Sequence, residues 1–234
     1  MKFIIGNWKM NGDKKLLNEM ESVLADVTTE NKVVLCVPFT LLGAGNGKVA
    51  LGAQDVSAHE KGAYTGEVSA SMLVTSGAKY VIVGHSERRA YHGETNEDVR
   101  AKAEMALENG ITPIICVGET MEEKRVGRTF EIIEKAVRES VPKNVQKDII
   151  IAYEPRWAIG AGITPTRQEI TEAHKLIADT LGNMDLAGTP ILYGASVNGS
   201  NVAEIVSIEN VDGVLVGGAS LKPGEFVLII NNAK

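Results

Sequence analysis

The sequence is poor in cysteine and in long apolar runs, and each shortage excludes a class of protein. Its 234 residues include two cysteines, Cys36 and Cys116, and each lies inside an apolar run. We therefore predict two buried free thiols rather than a disulfide framework or a metal pair. Apolar runs such as Ile149–Ala152 are far shorter than the roughly 20 residues that a membrane helix needs, so we expect no transmembrane segment.

The sequence also lacks an excess of basic residues. Lys and Arg total 24 against 30 Asp and Glu, which gives a formal net charge of −6. A mildly acidic chain has no electrostatic footprint for nucleic acid or anionic lipid, so neither is an expected partner. Residues 1–6 hold too few apolar positions for the apolar region of a signal peptide. We accordingly predict a cytoplasmic location.

Short apolar segments rich in Val and Ile recur along the chain, and each is followed by a polar or glycine-rich stretch. They do not alternate with polar residues, which is typical of parallel strands that are buried on both faces. The predicted strands are Phe3–Gly6, Val33–Val37, Val49–Ala53, Tyr80–Gly84, Thr112–Val117, Ile149–Tyr153, Pro190–Tyr193 and Gly213–Val216.

Helical periodicity fills most of the gaps between these strands. One such helix is predicted after Thr166, whose spacing to Glu169 fits a capping box, and another ends before Gly110. Eight strands in 234 residues give about 29 residues per unit, the size of one βα repeat. We therefore predict a single α/β domain over residues 1–234, a (β/α)8 barrel, with a doubly wound open sheet as the alternative. The second unit is shortened, because few residues separate Val37 from Val49.

The ends of the predicted strands carry the residues with chemical potential. In such a barrel the functional site is built at the carboxyl ends of the strands. Lys9, His85 and Glu154 each follow a strand there, and small residues follow the last two strands. Alone, each would be read as a surface lysine, a packing histidine or a solvent-facing glutamate. Their shared position at one end of the barrel favours a common site, and the small residues let backbone N–H groups approach an anion.

Four long motifs in the same order resemble the triosephosphate isomerase family, and the similarity covers essentially the whole chain. The motifs are Asn7-Trp8-Lys9-Met10-Asn11-Gly12, Gly84-His85-Ser86-Glu87-Arg88-Arg89, Ala152-Tyr153-Glu154-Pro155 with Trp157-Ala158-Ile159-Gly160, and Gly213-Val214-Leu215-Val216-Gly217-Gly218-Ala219.

The resemblance implies an isomerase that interconverts dihydroxyacetone phosphate and glyceraldehyde 3-phosphate through an enediolate. By the same resemblance, Glu154 is the base, and its place after a buried strand predicts a desolvated and therefore stronger base. His85 is the electrophile, and a helix beginning just after it is expected to keep the ring neutral. Lys9 supplies positive charge, Asn7 orients the substrate oxygens, and Glu87 contacts the lysine.

The resemblance further implies a phosphate site made by backbone N–H groups of Gly160, Ser196, Gly217 and Gly218. The segment Trp157–Gly162 resembles the lid that closes over this site. No metal or organic cofactor is expected, since the four histidines show no ligand-like spacing.

A homodimer is also implied. The loop-like stretch Gln54–Glu67 is similar to the family's protruding third loop, which enters a partner subunit. The resemblance brings Thr65 close to the partner's Asn7 and the partner's Lys9.

Three positions depart from the family pattern. Ala195 stands where the family usually has a second glycine, Arg156 replaces a small apolar residue, and Ala161 replaces a threonine. Two alternatives to the isomerase remain at this stage. Another phosphate-binding barrel enzyme, an aldolase or lyase, would carry a Schiff-base lysine within a strand. A non-catalytic barrel would lack at least one of Lys9, His85 and Glu154.

Overall fold

The strands follow the sequence pattern closely. The computed structural model describes residues 1–143, 145, 148–159 and 164–234. Its eight strands are β1 Phe3–Asn7, β2 Lys32–Cys36, β3 Ala50–Ala53, β4 Tyr80–Val83, β5 Thr112–Val117, β6 Ile150–Tyr153, β7 Ile191–Tyr193 and β8 Gly213–Val216.

These strands form a closed parallel barrel. Each strand pairs with the next along the chain, and the ring closes where Phe3 of β1 lies beside Gly213 of β8. Closure confirms the (β/α)8 barrel and rules out the open doubly wound sheet. It also leaves no strand edge exposed, and it collects all eight carboxyl ends at one mouth.

Helices surround the barrel in the order that the periodicity predicts. They are α1 Lys14–Ala25, α2 Phe39–Leu42, α3 Ala70–Thr75, α4 Ser86–His92, α5 Asn96–Glu108, α6 Met121–Arg125, α7 Thr129–Ser140, α8 Arg167–Gly182, α9 Val202–Val206 and α10 Pro223–Asn232. The predicted capping box of Thr166 and Glu169 is present at the start of α8. Gly110 follows α5 with a φ of 72°, a left-handed conformation that favours glycine. Among the described helices, none has the length and apolarity to cross a membrane.

The shortened second unit is confirmed, since α2 has four residues. The connection from α2 to β3 is held by Glu21 of α1, a fully buried glutamate. Its carboxylate accepts the backbone N–H of Asn46 at 3.0 Å. A side-chain acceptor from a neighbouring helix thus satisfies a backbone donor in the trimmed connection.

The apolar core has two layers, because successive strand residues point to opposite faces. Residues facing into the barrel form one cluster: Ile5, Val34, Cys36, Ile82, Ile114, Cys116, Ile150, Ala152, Leu192 and Leu215. A larger cluster fills the space between strands and helices. Cys36 and Cys116 are buried free thiols, as predicted.

Candidate active site

A cavity of about 360 Å³ opens at the carboxyl ends of the strands. It is lined by Asn7, Lys9, His85, Glu87, Glu154, Ile159, Gly194, Ala195, Ser196, Val197, Leu215, Gly217, Gly218 and Ala219. The sequence-predicted residues after β1, β4, β6, β7 and β8 therefore meet at one place, although they come from opposite ends of the chain.

Lys9 is held in an unusual backbone conformation at the wall of this cavity. Its φ is 53°, in the left-handed region that side chains other than glycine rarely adopt. The Asn7 side chain accepts the Lys9 backbone N–H at 3.0 Å, which secures that turn. The Lys9 ammonium lies 2.5 Å from a carboxylate oxygen of Glu87. This pair fixes a positive charge at the mouth of the cavity.

His85 occupies the N-cap position of α4, and its ring is nearly buried. The backbone N–H of Glu87 donates to His85 Nδ1 at 3.2 Å, so Nδ1 acts as an acceptor. A neutral ring with an acceptor at Nδ1 carries its proton on Nε2. Nε2 points to Glu154 Oε1 at 3.0 Å. The helix start after His85 was predicted, and it selects this tautomer through a specific hydrogen bond.

Glu154 is 2% exposed and directly follows β6. Its backbone N–H donates to the carbonyl of Val117 at 2.7 Å, which ties it to the end of β5. The backbone N–H of Ser86 donates to the second carboxylate oxygen at 2.8 Å. A side chain at Gly118 would collide with the Glu154 carbonyl, since a Cβ there would lie 1.8 Å from that oxygen.

The His85 and Glu154 pair changes the pKa of both groups. Burial raises the pKa of Glu154, but His85, the Ser86 N–H and Lys9 together lower it by more, so its pKa lies below the ordinary value. Burial lowers the pKa of His85, while Glu154 and Glu87 raise it by more. The expectation of a more basic Glu154 is therefore wrong for this arrangement, since desolvation does occur but the interactions with His85, the Ser86 N–H and Lys9 outweigh it. The raised pKa of His85 is likewise opposite to the expectation that the helix start keeps the ring neutral.

The opposite wall of the cavity is built from small residues. Ser196 follows β7, and Gly217 and Gly218 follow β8. Among the described residues, apart from its chain neighbours, no atom lies within 4 Å of the point that a Cβ of Gly218 would occupy, so its backbone is uncovered there. Ala195 also lines this wall, and its φ is not positive. Gly160, predicted for the same wall, lies outside the described residues.

The segment after Glu154 is anchored by a residue that the sequence analysis missed. Glu119, 1% exposed, accepts the indole N–H of Trp157 at 2.8 Å. The hydroxyl of Tyr153 donates to the same carboxylate at 3.3 Å. Lys124 Nζ lies 3.4 Å from the centre of the Trp157 ring. Glu119 lies after the carboxyl end of β5, as Glu154 lies after that of β6. The position after a strand end, which identified Glu154 in the sequence, is therefore a signal that could also have identified Glu119.

The loop Gln54–Glu67 projects from the barrel, and Thr65 near its tip is exposed. His59 and Tyr64 stack within the loop, with ring centres 3.9 Å apart and planes inclined by 5°. A separate cleft of about 310 Å³ runs beside Asn7 and Lys9.

Within the part of the chain that the structure describes, no group of three or more His, Cys, Asp and Glu side chains is arranged to hold a metal ion. The groups present are a buried carboxylate against an imidazole N–H, a nearby ammonium, and a wall of exposed backbone. Such a set suits proton transfer next to a carbonyl on a small anionic substrate. The fold and site thus define a (β/α)8-barrel enzyme of acid–base chemistry.

Comparison with known proteins identifies the particular family. The family model of triosephosphate isomerase matches residues 2–233. The chain is 46% identical over 237 residues to triosephosphate isomerase of Ruegeria sp., covering 98% of this chain and 96% of that protein. It is 47% identical over 238 residues to the Hyphomonas neptunium protein of the same name, covering 97% and 96%. The crystal structure of triosephosphate isomerase from Bartonella henselae superposes with a TM-score of 0.90 at 37% identity, covering 99% and 98%.

The chain belongs to the triosephosphate isomerase family. It is an isomerase that interconverts dihydroxyacetone phosphate and glyceraldehyde 3-phosphate, and its substrate is a small phosphate ester. The aldolase or lyase alternative is not favoured. The eight strands, all within the described residues, contain one lysine, Lys32, at the amino end of β2 and away from the cavity.

Proposed function

We propose that Glu154 and His85 carry out the proton transfers of the isomerisation, and that Lys9, Asn7 and Glu87 assist them. The contact between His85 Nε2 and Glu154 Oε1 at 3.0 Å is the observation that supports this assignment best. It brings an acceptor for a carbon-bound proton next to a donor for a substrate oxygen. Both groups line the same cavity.

The reaction then follows from these positions. The Glu154 carboxylate takes a proton from the carbon beside the substrate carbonyl, and the electron pair moves onto the carbonyl oxygen. The resulting enediolate is stabilised by the His85 N–H and by the charge of Lys9. His85 gives its Nε2 proton to the former carbonyl oxygen and takes up the proton of the neighbouring hydroxyl, so the carbonyl moves by one carbon as Glu154 returns its proton to the other carbon. In this cycle His85 Nε2, which lies 3.0 Å from Glu154 Oε1, donates to substrate oxygen.

Neighbouring residues prepare these two groups. The N–H of Glu87 at Nδ1 keeps the donor proton of His85 on Nε2. The Lys9 ammonium also lies 2.5 Å from the Glu87 carboxylate, which keeps the lysine side chain away from the place where the substrate carbonyl binds. Asn7 secures the backbone turn of Lys9 and faces the cavity, where it orients the substrate oxygens.

The phosphate of the substrate is assigned to the wall formed by Ser196, Gly217 and Gly218, together with Gly160. The small side chains support this proposal because backbone N–H groups bind an anion only where nothing covers them. The hydroxyl of Ser196 adds a further donor.

The test is Glu154→Gln, which keeps the size of the side chain and removes its basicity. We expect kcat to fall by several orders of magnitude with little change in KM, because the base acts in the transition state. Coupled assays in both directions measure the loss, and Glu97→Gln on the exposed face of α5 serves as the control. A Glu154→Gln enzyme that retains more than about a tenth of the parent kcat, a loss below roughly 1.4 kcal/mol, would show that another residue is the base.

We also propose that the protein is a homodimer in which Thr65 enters the cleft of the partner. The cleft beside Asn7 and Lys9 supports this, because Met10 and Tyr91 line it and are 95% and 82% exposed. Large exposed apolar side chains around a cleft mark a protein interface.

We further infer that residues 1–234 form one catalytic domain with a cytoplasmic location. The continuous core that runs from Ile4 to Ala233 supports a single domain. The free thiols Cys36 and Cys116 are consistent with a reducing compartment.

A further inference from the structure

Arg89 joins four elements behind the candidate site. This side chain of α4 donates from Nε to the carbonyl of Gly84 at 2.8 Å, and from Nη2 to the carbonyl of Cys116 at 3.1 Å. It also donates from Nη1 to the Asn96 side chain on α5 at 2.8 Å, and from Nη2 to the Ser140 hydroxyl on α7 at 3.2 Å. All four acceptors are neutral. The guanidinium therefore acts as a planar fork that fixes the relative positions of the segments.

Two of these acceptors adjoin the proposed acid and base. Gly84 directly precedes His85 and has a φ of 66°, so the chain turns sharply between β4 and the imidazole. A Cβ at Gly84 would lie 2.5 Å from Val99 Cγ2, which leaves this turn no room for another side chain. The bond from Arg89 closes the turn from its far side. A displaced Gly84 carbonyl would displace the ring of His85.

Cys116 provides the corresponding link to the base. It lies near the end of β5, directly before Val117, whose carbonyl accepts the backbone N–H of Glu154 at 2.7 Å. Its carbonyl is the acceptor for Arg89, so one guanidinium holds a backbone group beside His85 and another beside Glu154. Among the described residues, no other side chain makes both contacts.

Arg89 also carries charge toward the base. Burial lowers its pKa and Arg156 lowers it further, whereas Cys116, Glu94 and Glu154 raise it. An arginine stays protonated under such conditions. The groups that face Glu154 are His85, the Ser86 N–H and Lys9, together with the thiol of Cys116 and the Arg89 charge itself.

We propose that Arg89 is a positioning residue of the isomerase reaction, whose guanidinium fixes the ends of β4 and β5 so that His85 and Glu154 stay within hydrogen-bond reach. The inference rests on the roles proposed above for those two residues. Arg89 is not in the set that lines the cavity, so it acts through them and not on the substrate.

The experiment compares Arg89→Met and Arg89→Lys with Arg100→Met. Arg100 is the matched control, because it also donates to α7, in its case to the carbonyl of Glu139 at 3.3 Å, but lies on α5 away from the cavity. For each folded protein we would measure kcat, KM, the pH profile of kcat/KM and the inhibition constant of inorganic phosphate. The titration of the substrate's own phosphate is common to all variants and does not affect the comparison.

We expect Arg89→Met to lower kcat by about 100-fold, the order that a misplaced acid–base pair costs. The inhibition constant of phosphate should stay within about threefold, since the phosphate wall does not depend on Arg89. Loss of the positive charge should raise the pKa of Glu154, so the acid limb of kcat/KM moves to higher pH. Arg89→Lys should keep the acid limb of the parent while kcat falls less, and Arg100→Met should match the parent.

Two results would overturn the proposal. One is a folded Arg89→Met protein whose kcat lies within threefold of the parent. The other is a kcat loss that Arg100→Met shares, with an unmoved acid limb, which would mark a purely structural role. If Arg89→Met does not fold, Arg89→Lys decides, and a parental kcat in that variant refutes the positioning role. Glu154→Gln, assayed alongside, separates this failure from failure of the proposed base.

Discussion

Burial raises the pKa of the Glu154 carboxylate, but the contact with His85 and the other neighbours lower it by more, so Glu154 is less basic than its burial alone would make it. The carboxylate accepts the Ser86 N–H at 2.8 Å, and His85 Nε2 lies 3.0 Å from its other oxygen. Its pKa lies below the ordinary value, although it is almost fully buried. In the proposed reaction, a substrate that takes the place of these contacts would leave the carboxylate desolvated without compensation. The pKa of Glu154 would then rise when the substrate is in place for the proposed proton transfer.

The pKa of a second histidine, His174, shifts in the direction opposite to that of His85. His174 on α8 is fully buried, and its Nδ1 bonds the carbonyl of Asn210 at 2.9 Å. Nε2 has no hydrogen-bond partner among the described residues. Burial lowers the pKa of His174 to about 4, and no carboxylate offsets this effect. The folded protein therefore resists protonation of this ring.

We predict that His174 makes the protein less stable as the pH falls from about 6.5 to about 4. In that window the unfolded chain binds a proton that the folded chain does not, so the free energy of unfolding rises with pH. The loss on going down to pH 4 is on the order of 3 kcal/mol from this ring alone.

Urea unfolding at several pH values tests this prediction. His174→Asn should unfold with a flatter pH dependence, whatever its absolute stability, because the titrating group is gone. The exposed His92→Asn is the control and should keep the parental slope. An unchanged slope in His174→Asn would rule out this ring as the source.

At the scale of elements, the second βα unit shows how a barrel tolerates a helix of only four residues. With α2 reduced to four residues, the connection to β3 cannot satisfy all its backbone donors by helical bonds. Glu21 of α1 supplies an acceptor to Asn46, and Leu41 and Leu42 still reach the core. This connection precedes β3, so it lies at the face of the barrel opposite the candidate site.

We predict that Glu21→Ala lowers the free energy of unfolding by about 2–3 kcal/mol, since the Asn46 N–H loses its acceptor and a buried side chain is removed. Glu21→Gln retains a carbonyl acceptor of nearly the same shape and should cost less than about 1 kcal/mol. Denaturant unfolding measures both. The kcat of the folded fraction should be unchanged in each. Equal losses in the two variants would show that the hydrogen bond does not stabilise the connection.

At the scale of the whole molecule, the cleft beside the candidate site carries apolar side chains that are exposed in the single chain. Phe39 and Tyr91 line the cleft next to Lys9 and are 41% and 82% exposed. The loop that carries Thr65 projects from the same chain and is ordered internally by the stack of His59 on Tyr64. A second copy that inserts this loop would cover the apolar side chains and support the turn of Lys9.

We predict that Thr65→Arg separates the proposed dimer and lowers its activity in the same proportion. The added charge would face the partner's Lys9 across a cleft with little water, and like charges repel strongly there. Light scattering coupled to size-exclusion chromatography, with assays over a dilution series, measures both quantities. Thr28→Arg, an exposed substitution at the opposite end of the barrel, is the control. A monomeric Thr65→Arg protein with parental kcat would contradict the link between assembly and activity.

The sequence by itself determined the barrel, because strand periodicity and βα repeat length are local properties that each segment carries. It also determined which residues reach the mouth, since every parallel strand delivers the residue after its carboxyl end to the same face. Lys9, His85 and Glu154 were found in this way. The bounds of every strand except β5 and β8 shifted by one residue at one or both ends from those predicted, because pairing with neighbours decides the end of a strand.

Only the tertiary structure decided how these residues act on one another. His85 and Glu154 are far apart in the chain, yet burial, which raises the pKa of Glu154, is outweighed mainly by His85 and further by the Ser86 N–H, so the pKa shifts opposite to the expected direction. Arg89 reads in the sequence as one more basic residue of a helix, yet its acceptors come from four elements. The physical reason is that pKa shifts and hydrogen-bond networks depend on distances of a few ångströms between segments, and no local pattern encodes those distances.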